Sequence, residues 1–285
     1  MDVSIIVPMQ AAESSLLPDC VAGILAQRFE HGRVEALVAR YGGGPAPPRE
    51  LPVAGEVRVL EVDAPTPYAA RNAAAAVARG DVLLFTEPGC VPAPGWVAAH
   101  VERLREGRAS VSVGPVMPVR LTRLVERLLA YENVRDEWVF SSPRWQHYFG
   151  RPKNMAITRH RFATHGPFVE VHRGADSKLV QKIARELSCD EITLTPTAIV
   201  RQQTVRGLPS FLRERFGHAH ALEVHQSAHA APIMLADRTE IFRDTVRRNR
   251  FGPLQAATLA ALLAAGIVTF RAGGCWGTVA RKLRH

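Results

Sequence analysis

The sequence predicts an α/β protein: a mainly parallel central sheet flanked by helices, followed by a helical tail. Three observations lead there. Short apolar runs alternate with helix-forming stretches over the first 115 residues, as in strands joined by crossover helices. Cap and turn residues punctuate that alternation at the right places. Beyond residue 250 the chain enters a nearly uncharged, Ala-rich run, "PLQAATLAALLAAGIVTF", of about 18 residues.

Taken in order, "VSIIV" (Val3 to Val7) reads as a buried strand, followed after a loop by a helix over residues 14–29 and a second strand, "VEALVA", from Val34. A loop rich in Gly and Pro separates it from the strand "VRVLEV". The next helix is fully punctuated, with Thr66 as N-cap, Pro67 at the first helical position and Gly80 as terminator. The strand "DVLLF" and the loop "TEPGC" follow, then a helix bracketed by Pro94 and Gly107 and the strand "ASVSVG". From residue 116 the pattern loosens into a helix over Leu121 to Glu137, the aromatic stretch "WVFSSPRWQHYFG", strand-like "NMAIT", a turn at "HGPF" and a helix beginning near Ala175. Residues 208–228 and 236–249 read as basic helices. In such a sheet the ligand site lies at the carboxyl ends of the strands, which places Pro8 to Gln10, Tyr41 and Glu87 on one rim.

Composition narrows the function classes. A chain of 285 residues that is 47% hydrophobic buries a real core. Cys20, Cys90, Cys189 and Cys275 form no CxxC pair, which argues against a zinc cluster or a disulfide framework. The start lacks a basic lead and a cleavage site, so a cytoplasmic location is expected. Residues 1–115 carry 10 basic and 13 acidic side chains, whereas 116–285 carry 26 and 14, so the later part faces something anionic. No zinc-finger spacing or aromatic RNA-binding motif is present, and no nucleic acid is expected as partner. The Ala-rich tail spans roughly 27 Å at 1.5 Å per residue, between Arg247, Arg248 and Arg250 on one side and Arg271, Arg281, Lys282 and Arg284 on the other. The accounts are a buried apolar helix, or peripheral or shallow attachment to an anionic membrane surface on the inner face; a length at the lower limit for crossing a bilayer argues against a full span.

Four stretches, in this order, carry a resemblance to a known family: "VSIIVPMQAAESSLLPDCVAGILAQ", "PYAARNAAAAVARGDVLLFTEPGCVPAPGWV", "KNMAITRHRFATHGPFVEVHRGADSKLVQKI" and "VRGLPSFLRERFGHAHA". Together they resemble family 2 glycosyltransferases with the GT-A fold, a Rossmann-like, mainly parallel sheet flanked by helices. The resemblance implies an inverting transferase of hexosyltransferase type that moves a sugar from a nucleoside diphosphate donor to a hydroxyl acceptor on a glycan or lipid-linked intermediate. It divides the chain into a nucleotide-sugar half (1–115), an acceptor and catalytic half (116–230) and a basic helical tail (231–285).

It also implies roles for particular residues. Asp176, in "RGADSKL", falls where the family has its general base, with Ala175 in place of the usual glutamate; an ordinary N-cap aspartate is the structural alternative. Pro8, Gln10, Glu13, Arg71, Asn72, Glu87 and Asn154 are expected at the donor, with Glu87 touching the ribose. The acid expected after the second strand is absent, and Arg40 or Tyr41 stands there. Gly42 to Gly44 make neither GxGxxG nor GxxxxGK[ST], so no phosphate loop is expected.

The family's metal carboxylate is replaced by Gly89, and its downstream histidine by Arg201, Gln202 or Gln203. Mg or Mn is thus not assured as a cofactor, and no metal residue is assigned. Arg206, Arg213 and Arg215 are expected to clamp the diphosphate instead, unless they form a solvated helix face. Trp138, Trp145 and Tyr148, with Phe140 and Phe149, are candidates for an acceptor platform or simply core. His225 and His229 have an i,i+4 spacing that suits zinc on a helix but lack a third ligand; a polar helix face is the alternative. A glycosyltransferase-like binding or scaffold subunit without turnover is the competing reading of the same substitutions.

Overall fold

Val3–Met9 (β1) is buried at every position, as fits a central parallel strand covered on both faces, and this explains why its sequence is continuously apolar rather than alternating. The computed structural model describes residues 1–43, 57–107, 109–224, 231 and 233–282; most of the Gly/Pro loop, the His225–His229 pair and Arg284 lie outside them. After β1, a 3-10 turn over Ala11–Leu16 leads to α1 (Leu17–Leu25), β2 (Val34–Arg40), β3 (Val57–Glu61) and α2 (Pro67–Val77). Then come β4 (Val82–Phe85), β5 (Cys90–Pro92), α3 (Trp96–Glu106), β6 (Val111–Val113), β7 (Val116–Pro118) and α4 (Arg123–Phe140). They are followed by β8 (Met155–Thr158), α5 (Arg159–His165), α6 (Ala175–Glu186), β9 (Ile192–Leu194) and β10 (Val200–Gln202). The helices α7 (Leu208–Val224), α8 (Leu235–Arg248) and α9 (Pro253–Lys282) complete the chain.

The main sheet runs β3-β2-β1-β4-β8-β6-β9. β1, β2, β3 and β4 are mutually parallel where they pair, β6 and β9 are parallel, and β8 alone runs against both its neighbours. A small second sheet has the order β5-β10-β7. The register sets Pro8 beside Ala39 and Ile6 beside Phe85, so β1, β2 and β4 end along one edge, as expected for the ligand rim. The core under this sheet includes Val3, Ile5, Val7, Leu84, Trp96, Val97, Val101 and Ala156. Each buried Val, Ile or Leu among them stabilises the fold by about 1.5–3 kcal/mol.

Local signals act as the chemistry requires. Thr66 Oγ1 accepts the Ala69 amide at 3.1 Å and starts α2 with Pro67 behind it. The helix expected over 14–29 is instead a 3-10 turn followed by α1, whose first turn takes Pro18. The tail helix extends past the expected apolar run to Lys282, through Gly273, Gly274 and Gly277. A Cβ on Gly273 would lie 2.3 Å from the Phe216 carbonyl oxygen, and one on Gly277 2.6 Å from that of His220. Close backbone contact with α7 thus offsets the roughly 1 kcal/mol that each glycine costs a helix.

Contacts divide the chain into two units, Met1–Met117 with Phe149–Gln203, and Pro118–Tyr148 with Thr204–His285. The segment bearing Asn154 and Asp176 therefore belongs with the main sheet. The second unit has its own core, in which Tyr131, Val134, Ile241 and Leu259 join α4, α8 and α9.

Candidate active site

The site grows from the first turns of α2. Tyr68, Arg71 and Asn72, at i, i+3 and i+4, share one face of the helix, and each reaches a different segment. Arg71 is buried, donates to Glu87 Oε1 at 3.0 Å through Nη2, and lies over the Tyr68 ring at 5.0 Å. Its Nε is buried with no hydrogen-bond partner among the described residues. Asn72 holds the Phe168 backbone from both sides, donating to its carbonyl at 2.8 Å and accepting its amide at 3.0 Å. The amide expected to face the donor is used to fix the loop ahead of α6.

That loop delivers Asp176. Gly174, at φ 80°, precedes α6 and puts Asp176 in its first turn, 5% exposed. The Tyr68 hydroxyl donates to Asp176 Oδ1. Gly150 is required beside it, because a Cβ there would lie 2.6 Å from the Asp176 Cβ. Burial pushes the Asp176 carboxyl above the ordinary carboxylate range, while the Tyr68 hydroxyl and the charge of Arg71 pull it partly back. Burial and the same aspartate hold the Tyr68 phenol well above its usual value, so it stays a donor.

At the edge of β1, the Gln10 amide donates to Glu13 Oε2 at 3.1 Å, closing the 3-10 turn. Burial raises the Glu13 carboxyl, and neighbouring Glu87 raises it further against Arg71 and Lys153. Tyr41 is buried and pushed up to about 12, first by burial and then by Glu13. Arg40 is tied to Glu61 at 2.7 Å. Tyr41 thus lies among the charged groups at the strand ends, with Glu13, Arg71 and Glu87 as electrostatic neighbours, whereas Arg40 is engaged by β3. Pro8 is buried within β1 and shapes the strand end.

Several expected site residues are committed elsewhere. Asn154 is fully buried: its Nδ2 donates to the Pro115 and Ala198 carbonyls at 2.7 Å each, and its Oδ1 meets Trp96 Nε1 at 2.7 Å and His100 Nε2 at 2.8 Å. It joins the sheet to α3 and has no hydrogen-bonding capacity left for a donor. Tyr148 is 1% exposed with its hydroxyl on the Phe140 and Ser142 carbonyls, which makes it core of the second unit rather than a platform. Trp138 borders that unit's core beside His147 and under Arg144, and Trp145 opens a short 3-10 turn, partly buried. Arg215 holds Glu132 at 2.5 Å and lies over Phe211 at 5.1 Å, a strut within the second unit, not an available clamp. Arg206 and Arg213 are exposed in that unit.

The residues do not fit a divalent cation held by protein carboxylates. Glu87 is paired with Arg71, Gly89 offers only a backbone carbonyl already accepting the Gln203 amide at 2.9 Å, and no group of three His, Cys, Asp or Glu that could hold a metal exists among the described residues.

The sheet order, with the charged rim where β1, β2 and β4 end, is that of the GT-A fold, and the class follows from the family match. The sequence profile of Glycosyl transferase family 2 matches residues 4–179, and the chain belongs to that family. A mannosyltransferase from Pyrobaculum calidifontis, PcManGT, in complex with GDP-Man and Mn2+, superposes with TM-score 0.57 at 18% identity over 99% of this chain and 80% of its own. GalNAc-T7 with UDP, GalNAc and Mn2+ gives TM-score 0.54 at 14% identity over 86% of this chain and 54% of its own. S. aureus TarS gives 0.51 at 13% identity over 96% and 55%. No curated protein matches the chain. At these identities the likeness shows the fold.

Proposed function

We propose that the protein is an inverting hexosyltransferase that carries a sugar from a nucleoside diphosphate to a hydroxyl of a glycan or lipid-linked acceptor at the cytoplasmic face of a membrane. The observation that supports this reading most is Asp176: a buried carboxylate at a helix start, held by Tyr68 and raised by its surroundings, has the properties of a general base. In the reaction the acceptor O–H proton passes to Asp176 as its oxygen bonds to the anomeric carbon. The bond from that carbon to the diphosphate oxygen breaks, and its electron pair leaves with the nucleoside diphosphate. Attack opposite the leaving group inverts the centre. Glu87, aligned by Arg71, takes the ribose, and Glu13 and Tyr41 line the nucleoside side.

In this reading the diphosphate charge is met by guanidinium and ammonium groups rather than by a metal carboxylate, since Gly89 supplies none. The competing reading, a transferase-like binding subunit, is favoured by the same missing donor together with the near-complete cover over Asp176. Isothermal titration with nucleoside diphosphate sugars, in Mn2+ and again in EDTA, separates the two. Binding that persists in EDTA, with turnover lost on Asp176→Asn, supports the metal-independent enzyme. Binding without turnover in either condition supports the subunit.

A further inference from the structure

The helix α9 has two opposed faces. Leu259, Leu262, Gly266, Gly273 and Gly277 are buried on one side, against α7 and the second unit's core. On the other side Leu254, Ala257, Ala261, Ala265, Val268, Ala272, Cys275 and Val279 follow one another at spacings of three and four residues, and all are exposed. Three to four residues per step is one stripe of an α-helix, and from Leu254 to Val279 it runs roughly 37 Å. Leu254 is 83% exposed and Val268 67%; Trp276, next to the stripe, is 60%. Arg271 and Lys282 border it, three turns apart. By length and composition α9 could cross a membrane. Its glycine face, however, is taken by α7, which carries Arg213, Glu214, Arg215 and Glu223, and charged helices are costly in the hydrocarbon layer.

We infer that this stripe is the membrane-docking face, and that α9 lies in the plane of an anionic bilayer with the stripe at the level of the upper acyl chains. The inference rests on the proposed membrane location and assigns the surface that makes it. Charge selects the occupant. The second unit carries 17 Lys and Arg against 9 Asp and Glu, with Arg247, Arg250, Arg271 and Lys282 exposed. A second copy of the chain would bring this same positive excess against itself, whereas an anionic headgroup layer neutralises it. A helix with an apolar stripe, basic margins and Trp beside the stripe suits the interface, where long basic side chains reach back to the headgroups.

The test is co-sedimentation of the full chain with phosphatidylcholine vesicles, with and without phosphatidylglycerol. The wild type should partition at least about tenfold better into the anionic vesicles, since each basic residue at such a surface multiplies affinity about fivefold. Val268→Asp with Ala265→Asp, both at exposed positions, should abolish this gain with an unchanged thermal melt. If that variant melts early, Trp276 carries the test: the emission blue shift on adding anionic vesicles should vanish in Trp276→Phe and be quenched best by lipids brominated near the headgroup. Wild-type-like binding of the stripe variant, with loss in Arg247→Glu/Arg250→Glu, overturns the assignment of the face and leaves the membrane location standing. No binding by the wild type removes both. A dimer in light scattering that the stripe substitutions dissociate, without vesicle binding, gives the face to a second copy and overturns the inference.

Discussion

In the first unit 19 basic side chains stand against 18 acidic ones; in the second, with fewer residues, 17 stand against 9. The interior polar groups differ in the same sense. In the first unit Asn154, Asn72 and Arg71 are bonded inward, each to a separate segment, and burial raises the Glu13 carboxyl beyond the end of β1. The second unit is built on helices, leaves an apolar stripe exposed and carries exposed arginines such as Arg206, Arg213, Arg247 and Arg250 beside the partly buried Arg135 and Arg215. The contrast shows two ways of storing function: one unit in a few fixed polar contacts that a single substitution breaks, the other in distributed charge and area that respond gradually. Substitutions should therefore separate the units by the size and abruptness of their effects.

The largest effect is expected in the first unit. Asp176→Asn should lower kcat by about 10²- to 10⁴-fold, the usual contribution of a positioned base, with donor affinity unchanged in calorimetry. The same variant should be more stable than the wild type at neutral pH. A carboxyl raised on folding contributes stability below its unfolded pKa and loses it as pH rises through the folded value, and an amide escapes that loss. Loss of donor affinity in Asp176→Asn would contradict the role.

Next, Asn154→Ala should destabilise the fold by about 3 kcal/mol or more in chemical denaturation, because Trp96 Nε1, His100 and two carbonyls lose their partner inside the core. A milder loss would mean that water replaces the amide and that the first unit is less rigidly specified than its contacts suggest. His100 offers a smaller measure of the same junction. Burial holds it down to about 4, so between about pH 6.5 and 4 the unfolded chain binds a proton that the folded chain refuses. Stability should fall by up to about 3 kcal/mol on acidification across that window, and His100→Gln should flatten the slope in pH-dependent melts.

Tyr68→Phe probes how the base is tuned. Removing the hydroxyl that lowers the Asp176 pKa should move the acid limb of the kcat/KM profile to higher pH, without a comparable change in donor affinity. A profile that drops uniformly at all pH values would assign Tyr68 a packing role only. The smallest and most salt-dependent change belongs to the second unit. Arg206→Glu with Arg213→Glu should weaken donor binding about tenfold at low salt and less at high salt, if the basic helix serves the leaving diphosphate as its sequence suggests. No change at any salt concentration would confine those arginines to surface charge.

Much of the first unit was legible in the sequence because β1, β2 and β4 are buried on both faces and α2 carries an explicit cap; Thr66, Pro67 and the "DVLLF" strand are cases in point. Asp176 could be found because a short motif surrounds it. Its partner Tyr68 could not, since a hydrogen bond across 108 residues leaves no local pattern. Asn72 and Asn154 misled for a related reason: a motif says that an amide is needed, not whether it faces a ligand or a backbone. Tyr148 misled because clustered rings look alike in core and platform, and only its hydroxyl, spent on two carbonyls, decides. The full length of α9 was hidden by glycines that ordinarily end helices and here admit α7.

The three side chains on the first turns of α2 also bear on how the chain folds. Arg71 closes a span of 16 residues to Glu87, whereas Asn72 and Tyr68 close spans of 96 and 108 to Phe168 and Asp176. The short closure is available as soon as β4 has docked, while the long ones must wait for most of the chain and carry the larger entropy cost. During synthesis, then, Glu87 can acquire Arg71 well before Asp176 can acquire Tyr68, and a nascent chain halted ahead of Phe168 is expected to allow the first contact without the second.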